Sequence, residues 1–578
     1  MAGAVTGCGL GTDSIVRPGL KVDGPPPELT DRIPAGPVSE AEPEEIILGF
    51  MHAGAATGEG LEVTRRYLTD ALAKGWIPDS ETVVYAGSDP TPTPLEGRQD
   101  AYEVRVRVLA TIDNVGHYSV APPNRWETFE FDMAQVDGEW RIDQLAEGFG
   151  RLLEEEEVDY IFQDYPVHYP AVGWNALVVD QRWFPQDQIA TRLVRAQLGP
   201  IPDYLEDAVS TDENAELAVD AVPVRSGVAE IDLDADSVSG DSTTRKQLVA
   251  QLVATLTSLR DVTEVSITLS GNPLEVGVDA PLTTAEQLGF VDRTQTSSPT
   301  VLGRRGTRVV PVGDRLSSVT ASAVRGASSA FASIPESSRL IGLRADGKEL
   351  AVVDARGRAM ERYRDDGSVA TVPPFAAAMS RPCYDYGGVL WVGGLGLGRE
   401  EGHRLWAINA TVDPEDLSKA APRHVPAPWL EENHVVAAVT SPEGSRIAVI
   451  WEEEPGTGST LEVAGIARRS NGLPTKTSPH AFRLAADLVE MVDVAWVGNA
   501  RLVVIGRRDK QKGMQPYLVD VGGRVTALAG RPGTTMATTT GDHEDVVLTS
   551  PGGRVFQRLG RQRWFEVDPL DGVVVAGV

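Results

Sequence analysis

Apolar positions first recur at helical spacing in Ile46, Ile47, Phe50 and Met51, and again in Val63, Tyr67, Leu68, Ala71 and Leu72 up to Gly75-Trp76, predicting two helices. The period then drops to two. Residues 82–85, 102–108, 127–133 and 139–142 alternate apolar with polar, the mark of half-buried antiparallel strands. A second α+β stretch follows, with a strand over 174–179, a helix over 189–198 stopped by Gly199-Pro200 and a strand over 228–233. It continues with a helix over 246–259, carrying Leu248, Leu252, Leu256 and Leu259 on one face, and a strand over 262–269.

The last 280 or so residues repeat. Apolar strand cores preceded by turns recur at Gly347, Gly388, Gly444, Gly498 and Glu544, at intervals of 41, 56, 54 and 46 residues. This spacing suits the blades of a β-propeller with loop insertions, because four short strands bury their faces only by stacking around an axis. Five blades are visible, and the segment before Ser338 is expected to add a strand that closes the ring.

Composition narrows the function. Lys and Arg number 53 against 83 Asp and Glu, a formal charge of −30, which repels phosphate backbones and anionic headgroups and argues against nucleic acid as a partner. No apolar run approaches the roughly 20 residues of a membrane-spanning helix. Two cysteines, Cys8 and Cys383, exclude a disulfide framework and a CxxC metal pair. Residues 9–38, with Pro25-Pro26-Pro27, Pro34 and Pro37, read as a polar, semi-extended tether, and Glu154-Glu155-Glu156-Glu157 as a solvated linker or helix end.

Val5-Thr6-Gly7-Cys8 matches a bacterial lipobox, in which small residues fit a narrow peptidase site and the cysteine sulfur accepts a diacylglyceryl group. Met1-Ala2-Gly3-Ala4 supplies neither a basic n-region nor an apolar h-region, so either the start codon lies further upstream or the chain is not exported. Asp232, Asp234, Asp236 and Asp241 begin like a calcium loop, yet Ser237 stands where the sixth-position glycine belongs and Thr243 where the bidentate glutamate belongs; a solvated strand exit is the expectation. Zinc-protease, P-loop and nucleophile-elbow signatures are absent, the eight histidines are scattered, and no cofactor or metal is implied. Gly393-Gly394-Leu395-Gly396-Leu397-Gly398 reads as a flexible turn and Cys383 as a small apolar core residue.

The helices followed by a meander ending in Asp137-Gly138-Glu139-Trp140-Arg141-Ile142 resemble the nuclear-transport-factor-2-like (NTF2-like) cone fold. Enzymes on that fold use an Asp/His pair inside the cone, and His117 is the nearby histidine, without an evident carboxylate partner in sequence. A binding or spacer module is therefore the expectation. Leu198 and Pro200, the strand at Ala229–Leu233, the helix ending Leu252-Val253-Ala254-Thr255-Leu256 and the strand from Val262 to Ile267 before Gly271 resemble the GerMN module of cell-envelope proteins, which implies binding without turnover.

The whole order is a tether over 1–38, an NTF2-like domain over 39–150, a GerMN-like domain over 158–285 and a propeller over 299–578. This mainly β, multidomain arrangement resembles the actinobacterial lipoprotein LpqB family. The resemblance implies a lipoprotein anchored through Cys8 on the outer face of the plasma membrane, acting with an MtrA–MtrB two-component system. It would contact the extracytoplasmic domain of the sensor kinase MtrB, with consequences for division and envelope homeostasis. A different class, a cell-envelope hydrolase or lyase working in the propeller channel, would need converging carboxylates, for which Asp346, Asp365 and Asp385 are the candidates.

Overall fold

The computed structural model describes residues 34–577 apart from 59, 88–89, 279–280, 292–299, 314–315, 339, 431, 531–532, 540–545, 561–562 and 569. Helix α1 (Pro43–Gly54) opens on a proline and a Glu42/Glu45 capping box, and buries Ile46, Ile47, Phe50 and Met51. The single second helix expected from the sequence is instead two, α2 (Gly60–Arg65) and α3 (Asp70–Gly75). Between them Leu68 bridges Ile142 and the Thr69 N–H donates to the Ile142 carbonyl. The Thr69 hydroxyl then caps α3 by accepting from the Leu72 N–H.

The helices pack on a sheet built from β1 (Glu81–Ala86), β2 (Thr93–Pro94), β3 (Ala101–Asp113), β4 (Tyr118–Val120), β5 (Trp126–Val136), β6 (Glu139–Gln144) and β7 (Arg151–Glu154). Its path runs β6-β5-β3-β1-β7, with β2 and β4 paired to β3. Strand β7 lies past residue 150 and pairs parallel to β1. It leads directly into α4 (Glu155–Ile161), so the four glutamates form an N-cap and first helical turn, where Glu154 and Glu157 make a capping box and the carboxylates meet the positive end of the helix dipole. Rings fill the concave face: Phe149 lies 6.4 Å from Phe50, 5.7 Å from Phe129 and 5.9 Å from Phe131, centroid to centroid.

The second unit begins with a hairpin of β8 (Phe162–Pro170) and β9 (Leu177–Pro185). The strand expected from residue 174 starts only at Leu177, because Trp174 occupies the turn. Then come α5 (Ile189–Leu198), β10 (Val224–Arg225), β11 (Val228–Leu233), α6 (Ser242–Leu256), β12 (Glu264–Leu269) and β13 (Asn272–Pro273). Strands β11 and β12 run parallel, joined by α6, whose Leu248, Leu252 and Leu256 are fully buried. Helix α6 starts four residues before the predicted position because the Asp241 carboxylate accepts from the Thr244 N–H.

Six sheets then form a ring. Blades 1 to 5 cover 340–371, 383–424, 434–484, 488–527 and 536–566, each a meander with its first strand innermost. Blade 6 is made from both ends of the domain: Val301–Arg305 pairs with Arg308–Val312 on one side and with Gly572–Val575 on the other. Gly572–Val575 packs against the inner strands of blades 5 and 1, and Leu343 bridges Ala576, so the ring closes. The closing strand foreseen before Ser338 is therefore a hairpin completed by residues 572–575.

Candidate interaction site at the three-domain junction

The hairpin β8–β9 lies between the first domain and the propeller, and its side chains reach both. Trp183 donates its indole N–H to the Gly522 carbonyl of blade 4 at 2.8 Å, stacks near Tyr118 of β4 at 5.1 Å and carries the Arg524 guanidinium 4.8 Å from its ring. Arg524 pairs with Asp159 of α4. At the hairpin turn, Trp174 donates to Ser445 Oγ at 3.0 Å, and its ring fills the space over Gly387 and Gly444, where a Cβ would sit within 2.9 and 2.7 Å of it. Gly444 also has a φ of +75°, so its identity is required twice over.

Arg468 stacks on the Trp174 ring at 4.4 Å and pairs with Asp385 at 2.6 Å, both side chains being fully buried. Asp385 further accepts from the Trp391 indole and the Val389 N–H. Arg446 pairs with Glu443 at 2.7 Å and donates to the Val179 carbonyl of β9 and the Asn499 carbonyl of blade 4. The GerMN-like unit thus seats on the blade ends formed by turns 385–388, 441–445 and 521–524, while the loops 394–404 and 453–459 leave from the opposite end.

A buried charge cluster lies beneath this seat. Asp180 of β9 accepts from Arg182 Nε at 2.6 Å and from the Tyr204 hydroxyl at 2.7 Å, and lies 3.5 Å from His117 Nε2. Arg182 also donates to the Tyr169 hydroxyl and the Val115 carbonyl. His117 Nδ1 is 3.3 Å from Asp113, and its ring is 5.9 Å from Phe482 of blade 3, so this one side chain touches all three domains. Burial disfavours the imidazolium, but Asp180 and the contacts to both carboxylates outweigh it and push the His117 pKa up to about 9. Asp180 is held well below the usual carboxylate range, burial being outweighed by Arg182 and His117. Burial and the Asp180 charge keep Tyr204 protonated.

His117 therefore does have carboxylate partners, Asp113 one helical-turn spacing before it and Asp180 on another domain. It sits outside the cone, at the junction, and an imidazolium held between two carboxylates is unsuited to act as a general base at neutral pH. The Asp113-x-x-x-His117 spacing is the signal sequence reasoning passed over; Asp180 left none.

The other candidates separate. Cys8 lies outside the described residues, as does the first part of the fifth repeat at Glu544-Asp545. Asp232 accepts from Thr268 Oγ1 and the Gly271 N–H across to the neighbouring strand, Asp234 closes a turn by accepting from the Asp236 N–H, and Asp241 caps α6, so three of the four acids have protein partners of their own. Asp346 pairs with Arg344 in its turn, Asp365 is exposed, and Asp385 is the buried partner of Arg468. In the ring, Arg381 reaches from the start of blade 2 to Asp493 of blade 4 at 3.1 Å and to the Ala537 carbonyl of blade 5. The carboxylate there is held by a cation, and burial, partly offset by Arg381, raises its pKa. Cys383 is buried against Thr440, and burial pushes its thiol up to about 11. Gly393 and Gly396 sit where a Cβ would meet Val435 and the Glu400 backbone, so this stretch is closely packed rather than free. Among the described residues no helix is long and apolar enough to cross a membrane.

Three family models match the chain: "Lipoprotein LpqB, N-terminal domain" over residues 36–159, "Sporulation and spore germination" over 167–275 and "Lipoprotein LpqB beta-propeller domain" over 314–575. A lipoprotein LpqB of Thermobifida fusca is 26% identical, spanning 92% of this chain and 91% of that one. A lipoprotein LpqB of Cutibacterium acnes is 24% identical, spanning 97% and 95%. Among solved structures, TolB from Acinetobacter baumannii aligns with 52% of this chain and 74% of its own at 13% identity, with a TM-score of 0.34.

Proposed function

Because the chain belongs to the LpqB lipoprotein family, we propose that it is an accessory binding protein anchored by a lipid on Cys8 at the outer face of the plasma membrane. In this reading it binds the extracytoplasmic domain of an MtrB-type sensor kinase and modulates phosphorelay, affecting division and envelope homeostasis. The observation that carries the reading is the junction. Buried arginines, each fixed by a carboxylate of its own domain, donate across the seams from Arg182 to the Val115 carbonyl and from Arg446 to the Val179 carbonyl; with two tryptophan anchors they hold three domains at one angle, so the propeller is presented as a rigid platform with its 394–404 and 453–459 loops facing away from the other domains.

Two measurements test it. Native protein from cells carrying the upstream genomic region is expected to bear a diacylglyceryl-sized adduct on Cys8, and Cys8→Ser to leave the membrane fraction. Unmodified, soluble protein would sink the anchor. Titration of the purified kinase ectodomain into the wild type is expected to give saturable binding; no heat or mobility change at the highest concentration reached would sink the partner.

A further inference from the structure

Between the outer edge of blade 4 and the first domain runs a cleft of about 960 Å³. Two strand edges wall it. On the propeller side Val525–Ala527 is the outermost strand and, among the described residues, pairs only with Gln515–Asp520. The Leu528 N–H donates to Pro516 and the Asp520 N–H to the Arg524 carbonyl, so the even-numbered residues bond inward. The N–H and C=O groups of Val525 and Ala527 consequently point away from the blade, into the cleft. On the other side β4, among the described residues, pairs only with β3. The edges touch at Gly523, where a Cβ would lie 2.1 Å from the Tyr118 carbonyl. Beyond that contact Val120–Pro123 face Val525–Leu528, with Leu109 and Leu518 adding apolar lining.

The charges are uneven. Arg501, Arg508 and Arg524 are matched by Asp520, Asp487 and Asp159, whereas Arg107 and Lys510 have no acidic partner among the described residues. The acids Glu155 and Asp164 belong to α4 and β8, on the Trp183 side of the lining, and Asp509 adjoins Lys510. The background matters here too: residues 301–578 hold 33 Lys and Arg against 32 Asp and Glu, while residues 1–300 hold 20 against 51. The propeller side is the part of this acidic chain that does not repel an acidic segment.

We propose that this cleft is a strand-addition site that takes an extended segment of a protein partner, apolar and acidic side chains alternating, paired with the free edge at Val525 and Ala527. Its apolar side chains cover Leu109, Val120 and Leu518, and its acidic ones meet Arg107 and Lys510. The inference deepens the proposed function and rests on its reading of the chain as a protein-binding module.

A phage library of random 12-residue peptides panned against the intact protein supplies the probe. Binders are expected to be acidic and alternating, to slow amide exchange at Val525 and Ala527, and to lose about tenfold or more in affinity to Ala527→Pro, which removes only an outward N–H. The same loss is expected for Arg107→Glu combined with Lys510→Glu, which reads the site even if the proline variant fails to fold. Val369→Pro, the equivalent edge change in blade 1, leaves binding unchanged. Selecting no binder, or binders indifferent to both the edge and the charge variants, overturns the proposal. Kinase ectodomain that binds wild type and Ala527→Pro equally overturns the cleft and leaves the proposed function standing. Edge-dependent peptides without ectodomain binding do the reverse.

Discussion

The concave face of the first domain and the three-domain junction both exclude water, with opposite materials. Phe50, Phe129, Phe131 and Phe149 close the former by contacts between apolar rings. The junction buries Asp180, Arg182, Glu443, Arg446, Asp385 and Arg468. Apolar packing is tolerant of direction, whereas charge-assisted hydrogen bonds hold only near one geometry. Aromatic closure therefore suits the inside of one domain, where the chain already fixes the angle. Between domains, which a hinge could otherwise rotate, buried arginines donate to carbonyls across the seam, Arg182 to Val115 and Arg446 to Val179, and each leaves a large cost if the carboxylate that pairs with it is lost.

The sharpest way to break this contrast is Asp180→Ala, which strands the Arg182 and His117 cations in a buried site. A loss of about 3–5 kcal/mol is expected in chemical denaturation followed by tryptophan fluorescence; a loss below about 1 kcal/mol would mean that water screens the cluster. Phe149→Ala in the cone is expected to cost about 3 kcal/mol, independent of pH and salt. A third measurement uses the raised pKa of His117. Because the folded state holds the proton more tightly, the stabilisation is fully present below the usual imidazole value near 6.5 and fades as pH rises through about 9. The wild type should lose about 3 kcal/mol across that window and His117→Gln should not; parallel curves would refute the assignment. At the small end, Asp346→Asn in its exposed turn should change stability by less than about 0.5 kcal/mol, reported by the same denaturation curve.

Periodicity alone placed α1, α5 and the long strands of the first sheet, because each buries one face of a regular element. It failed where a non-local partner decided. Leu68 and Thr69 leave the helical pattern only because Ile142 is there to pair with them. Strand β8 has Pro166 and Pro170 in it and no clean alternation, and is stabilised by its hairpin partner β9. The repeats exposed five blades, but the sixth is divided between 301–312 and 572–575 and repeats nothing. Of the site, His117 stood out in the sequence as a lone histidine; Asp180, Arg446 and Trp174 are ordinary residues until the domains meet.

The divided blade has a consequence for how the molecule comes into being. Residues 301–312 are synthesised hundreds of positions before the strand they clasp, so the ring stays open until residue 575 has left the ribosome, with the exposed edges of blades 1 and 5 waiting. A nascent chain stopped short of residue 572 lacks the clasp altogether. Closure of the ring thus waits on synthesis of residues 572–575, and a tag or truncation placed there would be felt first as poor yield.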